Sequence, residues 1–401
     1  MTVLVTDGNQ RATLAVVRSL GKLGIGVTVG ETSIPSLASS SRHCVRAFQY
    51  PSPLTSEREF TDVLTQELDS GRHEVFLPMT DVACRIAAEL APRFPQVTIP
   101  LPSPDILLRT QDKGAVVDAA RQVGLSCPKT YTVQDRKELK VLSQTLAYPV
   151  VVKPRFSVYR ADGRWLRTQV QYAHSSEDLM SRYVSASAQV ANPLIQELVP
   201  GDGMGVFLLM WDGELKAAMC HRRIREKPPT GGVSVLRETI APDPRLVSAS
   251  EALLKQLGWQ GAAMVEFKGD KDPCVMEING RFWGSLQLAI DAGMDFPAIL
   301  YRLCCGETIS PSFEYRVGVK SRWLAGDLDH LLLRLRNGHA VSRPLPSRAR
   351  AAAEFLRFYE RDTFYEIERT DDPGPAYFEW KRYASDLLAS LRRAPAVRQE
   401  S

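Results

Sequence analysis

The stretch Val275–Ser285, VMEINGRFWGS, places a carboxylate, an amide and a guanidinium at every second position. Side chains two residues apart on a β-strand point to the same face, so Glu277, Asn279 and Arg281 would lie side by side if this stretch is extended. The pattern raises the question of which ligand needs an acid, an amide oxygen and a base next to one another.

The residues before this stretch predict its partner strand. The sequence VEFKGDKDPCVME contains two strand-like runs joined by the turn GDKDP, which indicates a hairpin. If Lys268 faces Val275 across the loop, then Glu266 faces Glu277 on the same side of the sheet. Two carboxylates this close repel each other unless a cation lies between them, and with Asn279 they form an all-oxygen ligand set that selects Mg²⁺ or Mn²⁺. The alternative is a surface hairpin with solvated charges, since a register slip of one residue would scatter the set.

Two further features of the stretch fit a site for a metal-bound triphosphate. Arg281 lies two residues beyond the metal ligands, where phosphate charge would gather. Met276 and Ile278 alternate with the polar residues, so we expect them to face the opposite, apolar side.

Composition restricts the classes of protein to which the chain can belong. Its 401 residues are 44% hydrophobic and 24% charged, which is typical of a globular protein of two or three domains. Fifty basic and 46 acidic residues give a formal charge of +4, too balanced to indicate a nucleic-acid or membrane partner. Seven cysteines without a CxxC pair predict reduced thiols. With no signal-peptide pattern and no apolar run of membrane-spanning length, we expect a cytoplasmic protein.

Hydrophobic periodicity divides the chain into four regions. Repeated strand and helix signals over 1–105, ending with a strand in QVTIPLPSP, predict a doubly wound parallel-sheet domain. Its first turn, DGNQRAT, has one glycine where a dinucleotide fingerprint needs three, which disfavours NAD binding. Regions 106–192 and 193–310 combine helices with antiparallel strands. Region 311–401 predicts a helical extension, in which one helix carries Leu328, Leu331, Leu332 and Leu335 on one face.

The run VEFKGDKDPCVMEINGRFWGS resembles the metal-binding hairpin of the ATP-grasp superfamily. The segments QDKGAVVDAARQVGLSCPKTY, YPVVVKP and IQELVPGDGMGVFLL precede it in the order found in that superfamily. The resemblance covers roughly residues 1–306 and is closest to the branch of the carbamoyl-phosphate synthetase large subunit and of carboxylate–amine ligases such as D-alanine–D-alanine ligase. It implies an α/β (α+β) fold, in which two α+β subdomains clamp ATP between them behind the N-terminal domain.

The resemblance also implies roles for particular residues, with ATP and one or two Mg²⁺ or Mn²⁺ ions as cofactors. Lys113 and Lys153 would hold the phosphates, and Glu266, Glu277 and Asn279 would hold the metal. Arg281 would face the transferred phosphate. The hinge of the nucleotide cleft would contact adenine and ribose through Gln196, Glu197, Leu198 and Val199.

One segment departs from the pattern of the superfamily. Many members have a glycine- and serine-rich flap after the second lysine, but segment 155–168 has Gly163 as its single glycine and carries four arginines. Either the arginines replace the backbone amides of the flap as phosphate donors, or the segment is shorter or points elsewhere.

The run HRRIREKPPTGG predicts where the second substrate binds. If it continues a strand, then His221, Arg223, Arg225 and Lys227 share one face, which would suit phosphate and a substrate carboxylate. We therefore expect Arg223 and Arg225 to act with Arg281 in catalysis. The alternative is a solvated basic edge strand.

Together these patterns favour an ATP-dependent ligase. It would activate a small carboxylate as an acyl phosphate and join it to an amine or a similar nucleophile, a reaction that requires positioning and charge neutralisation but no protein nucleophile. The alternatives are a kinase or carboxyphosphate-forming enzyme on the same fold, or an ATP-binding sensor without catalysis. We expect small-molecule carboxylate and amine partners and a homodimer, and neither nucleic acid nor membrane.

Overall fold

The computed structural model describes residues 2–161, 164–229, 231–336 and 346–393. The N-terminal part contains β1 (Thr2–Val5), α1 (Arg11–Lys22), β2 (Gly26–Glu31), β3 (Cys44–Gln49), α2 (Glu57–Asp69), β4 (His73–Leu77) and α3 (Asp81–Leu90). Its four strands form a parallel sheet in the order β3-β2-β1-β4, which confirms the predicted parallel-sheet domain.

The prediction of a strand in QVTIPLPSP is wrong. In the described structure this run contributes an isolated bridge between Thr98 and Val75 rather than a strand. Pro100 and Pro102 lack the amide hydrogen that a strand would donate, so pairing cannot continue beyond the bridge. Strand β3, which the sequence did not predict, forms one edge of the sheet instead.

The second part of the chain forms a four-stranded antiparallel sheet. Its elements are α4 (Pro104–Gln111), α5 (Lys113–Gln122), β5 (Thr130–Tyr131), α6 (Arg136–Ser143), β6 (Val150–Lys153), β7 (Val158–Ala161), β8 (Arg164–Arg167), β9 (Gln171–Ala173), α7 (Ser176–Ser187) and β10 (Leu194–Glu197). The strand order is β5-β10-β6-β9, and β7 and β8 form a separate hairpin. Strand β10 therefore belongs to this sheet, although the predicted division at 193 assigns it to the next region.

The largest sheet has seven strands and includes two from the C-terminal region. The elements are β11 (Gly203–Trp211), β12 (Glu214–Lys227), β13 (Val233–Ile240), α8 (Pro244–Leu257), β14 (Gly261–Lys268), β15 (Cys274–Asn279), α9 (Leu286–Asp291), α10 (Phe296–Cys304), β16 (Lys320–Arg322), α11 (Leu324–Arg336), α12 (Arg348–Phe355), β17 (Thr363–Tyr365) and α13 (Gly374–Arg393). The order is β15-β14-β11-β12-β13-β16-β17. The C-terminal extension is thus not purely helical, because β16 and β17 continue the sheet.

The side chains of β11 alternate between the two faces of the large sheet, and each face packs in a hydrophobic core. Phe207 and Leu209 pack in one core with the apolar face of α1 and with Trp283, which joins the sheet to the N-terminal part. Val206 and Leu208 pack in a second core with the leucines of α8. Since both faces are buried, the edge strand β15 and the cleft beside it are held rigidly. No helix in the described ranges is long and apolar enough to cross a membrane.

Helix α11 buries charged rather than leucine side chains, contrary to the predicted leucine face. Asp327 is buried and accepts hydrogen bonds from Arg225 and Arg322, while Leu332 and Leu335 are exposed. The two guanidinium partners compensate the desolvation of the carboxylate, so the helix can dock through this charged face.

Candidate functional site

The hairpin of β14 and β15 brings Glu266 directly opposite Glu277, as predicted. The register that leads to this pair differs from the expected one, because Lys268 pairs with Cys274 and Phe267 with Val275. A β-bulge between Glu266 and Phe267 absorbs one extra residue of β15, so the assumed partner of Lys268 was wrong by one position while the carboxylate pair was right.

The bulge also changes the direction of Met276. Val275 and Ile278 are buried in the core, whereas Met276 lines the cleft together with Glu277 and Asn279. The prediction that Met276 faces the apolar side is therefore wrong, since an inserted residue breaks the alternation of the strand. Met276 contributes a polar contact through its backbone, because its carbonyl accepts a hydrogen bond of 3.1 Å from Lys153 Nζ.

Two nearly buried lysines face these carboxylates. Lys113 is the first residue of α5, whose N-terminus is capped by the side chain of Asp112. Its Nζ donates to Ser157 Oγ at 2.8 Å and lies 3.6 Å from Glu277 Oε2. Burial lowers the pKa of Lys153, and the charge of Glu277 opposes that shift. Both ammonium groups are thus positioned inside the cleft rather than in bulk solvent.

The two carboxylates of the hairpin differ in their electrostatic surroundings. Burial, reinforced by the charge of Glu277, raises the pKa of Glu266, although Glu266 accepts a 2.5 Å hydrogen bond from Arg223. Burial also acts to raise the pKa of Glu277, but the attraction of Lys113, Lys153 and nearby arginines outweighs it and the pKa falls below the ordinary value. Glu277 is therefore an ionised ligand in the free protein, and a cation would favour ionisation of Glu266 as well.

The donor set fits a hard divalent cation. Glu266, Glu277 and Asn279 offer oxygen ligands on one wall of the cleft, and oxygen ligands suit Mg²⁺ or Mn²⁺, which commonly complete their shell with phosphate and water. The described residues contain no cluster of three or more histidine, cysteine or acidic side chains that could hold a metal alone.

The predicted hinge residues lie in the same cavity, which measures about 530 Å³. Gln196 is buried and its Nε2 donates to Thr130 Oγ1. Glu197 Oε1 accepts a hydrogen bond of 3.2 Å from Tyr131 and lies 3.4 Å from Lys129 Nζ. All four predicted residues, Gln196, Glu197, Leu198 and Val199, line the cavity that Glu266 and Glu277 also line.

The structure brings two of the three predicted catalytic arginines into the cleft. Arg281 lines the cavity and its Nε donates to Asp81 Oδ1 at 2.8 Å, and Arg223 reaches Glu266 from β12. Arg225 does not join them, because both of its hydrogen bonds go to Asp327 on α11.

The expected row of cations is broken by irregularities in the pairing of β12. Bulges on both sides of Arg225 rotate the strand, and Lys227 pairs with Asp329 on α11. His221 is buried, stacks on Phe207 with ring centroids 4.5 Å apart, and has a pKa well below the ordinary value because of desolvation. It is a neutral packing residue, and the predicted shared face does not form.

The arginine-rich segment packs mainly on the N-terminal part, although Ser157 and Val158 line the small cavity beside Glu277. In the hairpin of β7 and β8, Trp165 is buried in the core of the N-terminal sheet and Arg160 pairs with Glu57 of α2 at 2.5 Å. Arg155 pairs with Asp112. Gly163 lies outside the described residues. Arg160 and Trp165 thus point away from the cleft, whereas Ser157 lies within hydrogen-bonding distance of Lys113.

Sequence reasoning missed Asp81, the first residue of α3. Asp81 holds Arg281 and lines a small cavity with Lys113, Glu277 and Asn279. The signal was a Thr-Asp pair directly after a strand, which is typical of a helix N-terminus at the carboxyl edge of a parallel sheet. Its partner Arg281 lies two residues beyond the end of β15 and 200 positions later in the chain, so the signal at Asp81 could not predict the pair.

Comparisons with known proteins agree with this geometry. Residues 189–326 match the family model described as "ATP-grasp in the biosynthetic pathway with Ter operon". The biotin carboxylase domain of the 2-oxoglutarate carboxylase of Hydrogenobacter thermophilus, solved with MgADP and bicarbonate, is similar with a TM-score of 0.63 and 16% identity over 80% of this chain and 73% of that one. The L-amino acid ligase of Bacillus licheniformis is similar with a TM-score of 0.59 and 16% identity over 76% and 74%.

Among curated relatives, mitochondrial pyruvate carboxylase of Homo sapiens is 25% identical over 196 residues. That match spans 45% of this chain and 16% of the carboxylase. The chain is therefore similar to an ATP-grasp family over residues 189–326, and its fold is similar to those of the two solved structures.

Proposed function

We propose that this protein is an ATP-dependent ligase that activates a small carboxylate as an acyl phosphate and joins it to an amine. One observation carries the proposal. Lys153, two arginines and two facing carboxylates line a single cavity together with the predicted hinge residues, and Lys113 lies 3.6 Å from one of these carboxylates, Glu277. That arrangement suits a triphosphate with its divalent cation and a reaction in which negative charge must be neutralised.

The lysines and the oxygen ligands of the cleft would bind different parts of the metal–nucleotide complex. Lys113 and Lys153 would hold the phosphates, since nearly buried ammonium groups are compact charges with few competing partners. Glu266, Glu277 and Asn279 would hold Mg²⁺, which when bound supplies charge neutralisation at the phosphates.

The arginines would act on the transferred group. Arg281 is held by Asp81 and keeps further guanidinium hydrogens for a phosphate oxygen. Arg223 lies beside Glu266 at the opposite wall. Their positions are set by carboxylates rather than by solvent, so little reorganisation would be needed when charge develops on the transferred phosphoryl group.

The lining of the cleft argues against covalent catalysis by the protein. Among the described residues that line it there is neither a cysteine nor a histidine. The nucleophile would therefore be the carboxylate substrate, followed by the amine. In the first step the carboxylate oxygen bonds to the γ-phosphorus and the bond to ADP breaks. In the second the amine bonds to the acyl carbon, phosphate leaves, and the amine gives up a proton to solvent.

The test is release of ADP and phosphate from Mg-ATP in the presence of pooled carboxylic acids, with and without pooled amines. Release that requires both pools, together with a new amide product detected by mass spectrometry, is the expected result. Glu277→Gln should remove that release, while a matched change of an exposed carboxylate, Glu214→Gln, should keep it. Acid-dependent release without any amide product would contradict the ligase.

A second candidate is an enzyme that activates bicarbonate as carboxyphosphate. The observation that favours it is the similarity to a biotin carboxylase domain solved with MgADP and bicarbonate. Bicarbonate should then be included as a separate acid in the same assay. ADP release that depends on bicarbonate, with ¹³C label entering an acid-labile product, would select this candidate over the amide ligase.

A further inference from the structure

Arg11 is a cation that the N-terminal part contributes to the wall of the nucleotide cleft. It is the first residue of α1 and lines the cleft together with Glu266, Glu277 and Arg281. Its side chain is 10% exposed, and its Nη1 donates a hydrogen bond to Glu366. Its Nε and Nη2 make no hydrogen bond with the described residues, yet neither atom is sealed from solvent. Arg11 therefore has N–H donors left for a ligand in the cleft.

Two residues of the C-terminal region hold this guanidinium. The carboxylate of Glu366 binds one end of it, and the centroid of the Trp323 ring lies 4.1 Å from the guanidinium carbon. Trp323 directly follows β16 and Glu366 directly follows β17, and these two strands are parallel neighbours in the large sheet. The carboxyl ends of both strands thus bring the two partners to Arg11. A carboxylate at one end and an aromatic ring on one face fix the position of a planar group.

The carboxylate that holds Arg11 does not neutralise it fully. Glu366 also pairs with Arg237 at 2.5 Å, so two guanidinium groups share one carboxylate. Burial acts to raise the pKa of Glu366, but the attraction of Arg11 and Arg237 outweighs it and the pKa falls below the ordinary value. Glu379, which accepts a hydrogen bond from Trp323, compensates Arg11 only in part, because burial raises its pKa to about 7. Arg237 is fully buried whereas Arg11 reaches the cleft, so the excess positive charge is available there.

The start of α1 adds to the preference for an anion. The residue before the helix, Gln10, makes no side-chain cap hydrogen bond, and the first turn contains no acidic residue. Such an N-terminus keeps a partial positive charge and amide hydrogens without helical partners. Because Gln10 and Arg11 both line the cleft, this partial charge acts in the same direction as the guanidinium.

Arg11 lies close to the segment that carries Arg281. A Cβ on Gly284 would lie 3.1 Å from Arg11 Nη2, so the guanidinium packs directly over this glycine. Gly284 follows Arg281 by three residues, a separation of at most about 11 Å between their Cα atoms. Each arginine has its own carboxylate partner, Asp81 for Arg281 and Glu366 for Arg11. An acid bound by Arg11 would therefore lie near the phosphoryl group that Arg281 is proposed to face.

We propose that Arg11 binds the carboxylate of the acid substrate next to Arg281, and that Glu366 and Trp323 act as positioning residues for its guanidinium. The planar guanidinium suits bidentate recognition of a carboxylate. The inference rests on the proposed function, because it names the residue that holds the acid of that reaction. It also gives the C-terminal region a role in substrate binding.

The experiment measures the binding of carboxylic acids by calorimetry in saturating Mg-ADP, so it does not depend on turnover. The probes are acetate, succinate, glutarate, L-alanine and L-glutamate, added one at a time, and the corresponding primary amides are the matched compounds without a carboxylate. We expect saturable binding of at least one acid and binding of its amide weaker by about 10- to 100-fold, the range for hydrogen bonds to a charged group.

Substitution of Arg11 tests the contact itself. Arg11→Met should weaken the bound acid by about 10- to 100-fold, because the charged hydrogen bonds are lost, and should leave the dissociation constant of Mg-ADP unchanged. The matched control is Arg245→Met, since this arginine is 88% exposed and lies outside the lining of the cleft. The control should bind the acid as the wild type does.

Three further variants test the positioning residues. Glu366→Asp keeps the charge but shortens the side chain by one methylene, so it should weaken the acid by about 3- to 10-fold through a shift of the guanidinium. Trp323→Leu should weaken it by a similar factor, whereas Trp323→Phe keeps an aromatic face and should stay within about 2-fold of the wild type. Binding of Mg-ADP should be unchanged in all three. Thermal unfolding confirms that each variant is folded, and the Trp323 pair tests the role independently of the buried carboxylate.

Several outcomes would overturn the proposal. These are no saturable binding of any acid by the wild type, equal binding of an acid and its amide, or an unchanged dissociation constant of the acid in Arg11→Met. Wild-type binding in both Glu366→Asp and Trp323→Leu would refute the positioning roles. Failure of the proposed function is separate, since it would show as absence of ADP release with any acid and amine while an acid still binds through Arg11. Conversely, an active ligase whose Michaelis constant for its acid is unchanged in Arg11→Met would refute the assignment of Arg11 alone.

Discussion

Replacement of Glu277 by glutamine should inactivate the enzyme while leaving its fold intact. The carboxylate lies 3.6 Å from the ammonium of Lys113, which at an effective dielectric constant of about 20 corresponds to an attraction of about 5 kcal/mol. The same substitution removes the repulsion between Glu277 and its cross-strand neighbour Glu266, which at about 5 Å is worth about 3 kcal/mol. The attraction exceeds the repulsion, and Lys153, Arg223 and Arg281 attract Glu277 as well, so we expect a net loss of at least about 1 to 2 kcal/mol in the free energy of unfolding.

The effect on activity should be much larger than the effect on stability, because no opposing effect compensates the loss of the carboxylate charge. Glutamine offers one neutral oxygen in place of an ionised carboxylate, which weakens the divalent cation and the phosphates that it neutralises. Loss of a preorganised electrostatic group of this kind lowers kcat by about 100- to 1000-fold. The Mg²⁺ concentration that gives half-maximal activity should rise in parallel.

The assay is ADP release at increasing Mg²⁺ concentration, with urea unfolding of the same preparations. Glu214→Gln is the matched control, because this exposed carboxylate pairs with Lys216 on the same sheet away from the cleft. A Glu277→Gln enzyme with normal turnover and an unchanged Mg²⁺ requirement would refute the metal assignment. A variant that is inactive because it is unfolded would refute the expectation that the substitution leaves the fold intact.

Three further substitutions test other parts of the structure. Lys153→Met should raise the Michaelis constant for ATP by about 10- to 100-fold in steady-state kinetics, because a charge-assisted hydrogen bond to phosphate is lost. Asp372→Asn should lower the free energy of unfolding by about 3 to 5 kcal/mol in urea titrations, because it leaves the buried guanidinium of Arg18 without its counter-charge. His221→Leu should reduce the loss of stability at acid pH. Burial lowers the pKa of His221 in the folded protein, so the unfolded chain binds the extra proton and wild-type stability falls as the pH drops below about 6.5.

Exposed residues of the same types provide the controls. Lys255→Met on α8, Asp371→Asn beside the buried aspartate, and His174→Leu should each have small effects, since these side chains are largely solvated. Equal changes of the Michaelis constant in both lysine variants would contradict the phosphate role of Lys153. An Asp372→Asn protein as stable as the wild type would contradict the argument that Arg18 needs its buried counter-charge. A His221→Leu protein that loses as much stability at acid pH as the wild type would contradict the argument from the burial of His221.

Much of the fold was predictable because it depends on local periodicity. The strand–helix alternation of the N-terminal part, the helix capped by Asp112 and the hairpin around GDKDP are each specified by residues within one or two turns of chain. Strands β16 and β17 were not predictable in this way. They have three residues each and form because β13 offers an edge to pair with, which is a long-range property.

The candidate site also contains features that the sequence predicts and features that depend on distant residues. The pairing of Glu266 with Glu277 was predicted correctly, although it depends on a bulge that the sequence did not indicate. The order of the lysine and hinge segments follows from the chain. The direction of Arg225 does not, because it depends on two bulges and on an acceptor, Asp327, that lies 102 residues away. A periodic pattern predicts a shared face only as long as pairing stays regular.

The sequence by itself predicted the resemblance to the ATP-grasp superfamily, the order of the segments that carry it and the groups that we propose to meet ATP, because each of these depends on short stretches of neighbouring residues. Only the tertiary structure decided which charges are free to bind a ligand and which are neutralised by distant partners. The pair of Arg11 and Glu366 illustrates the reason. Arg11 lines the cleft, and its charge is partly compensated only because packing brings together two residues that lie 355 positions apart in the chain.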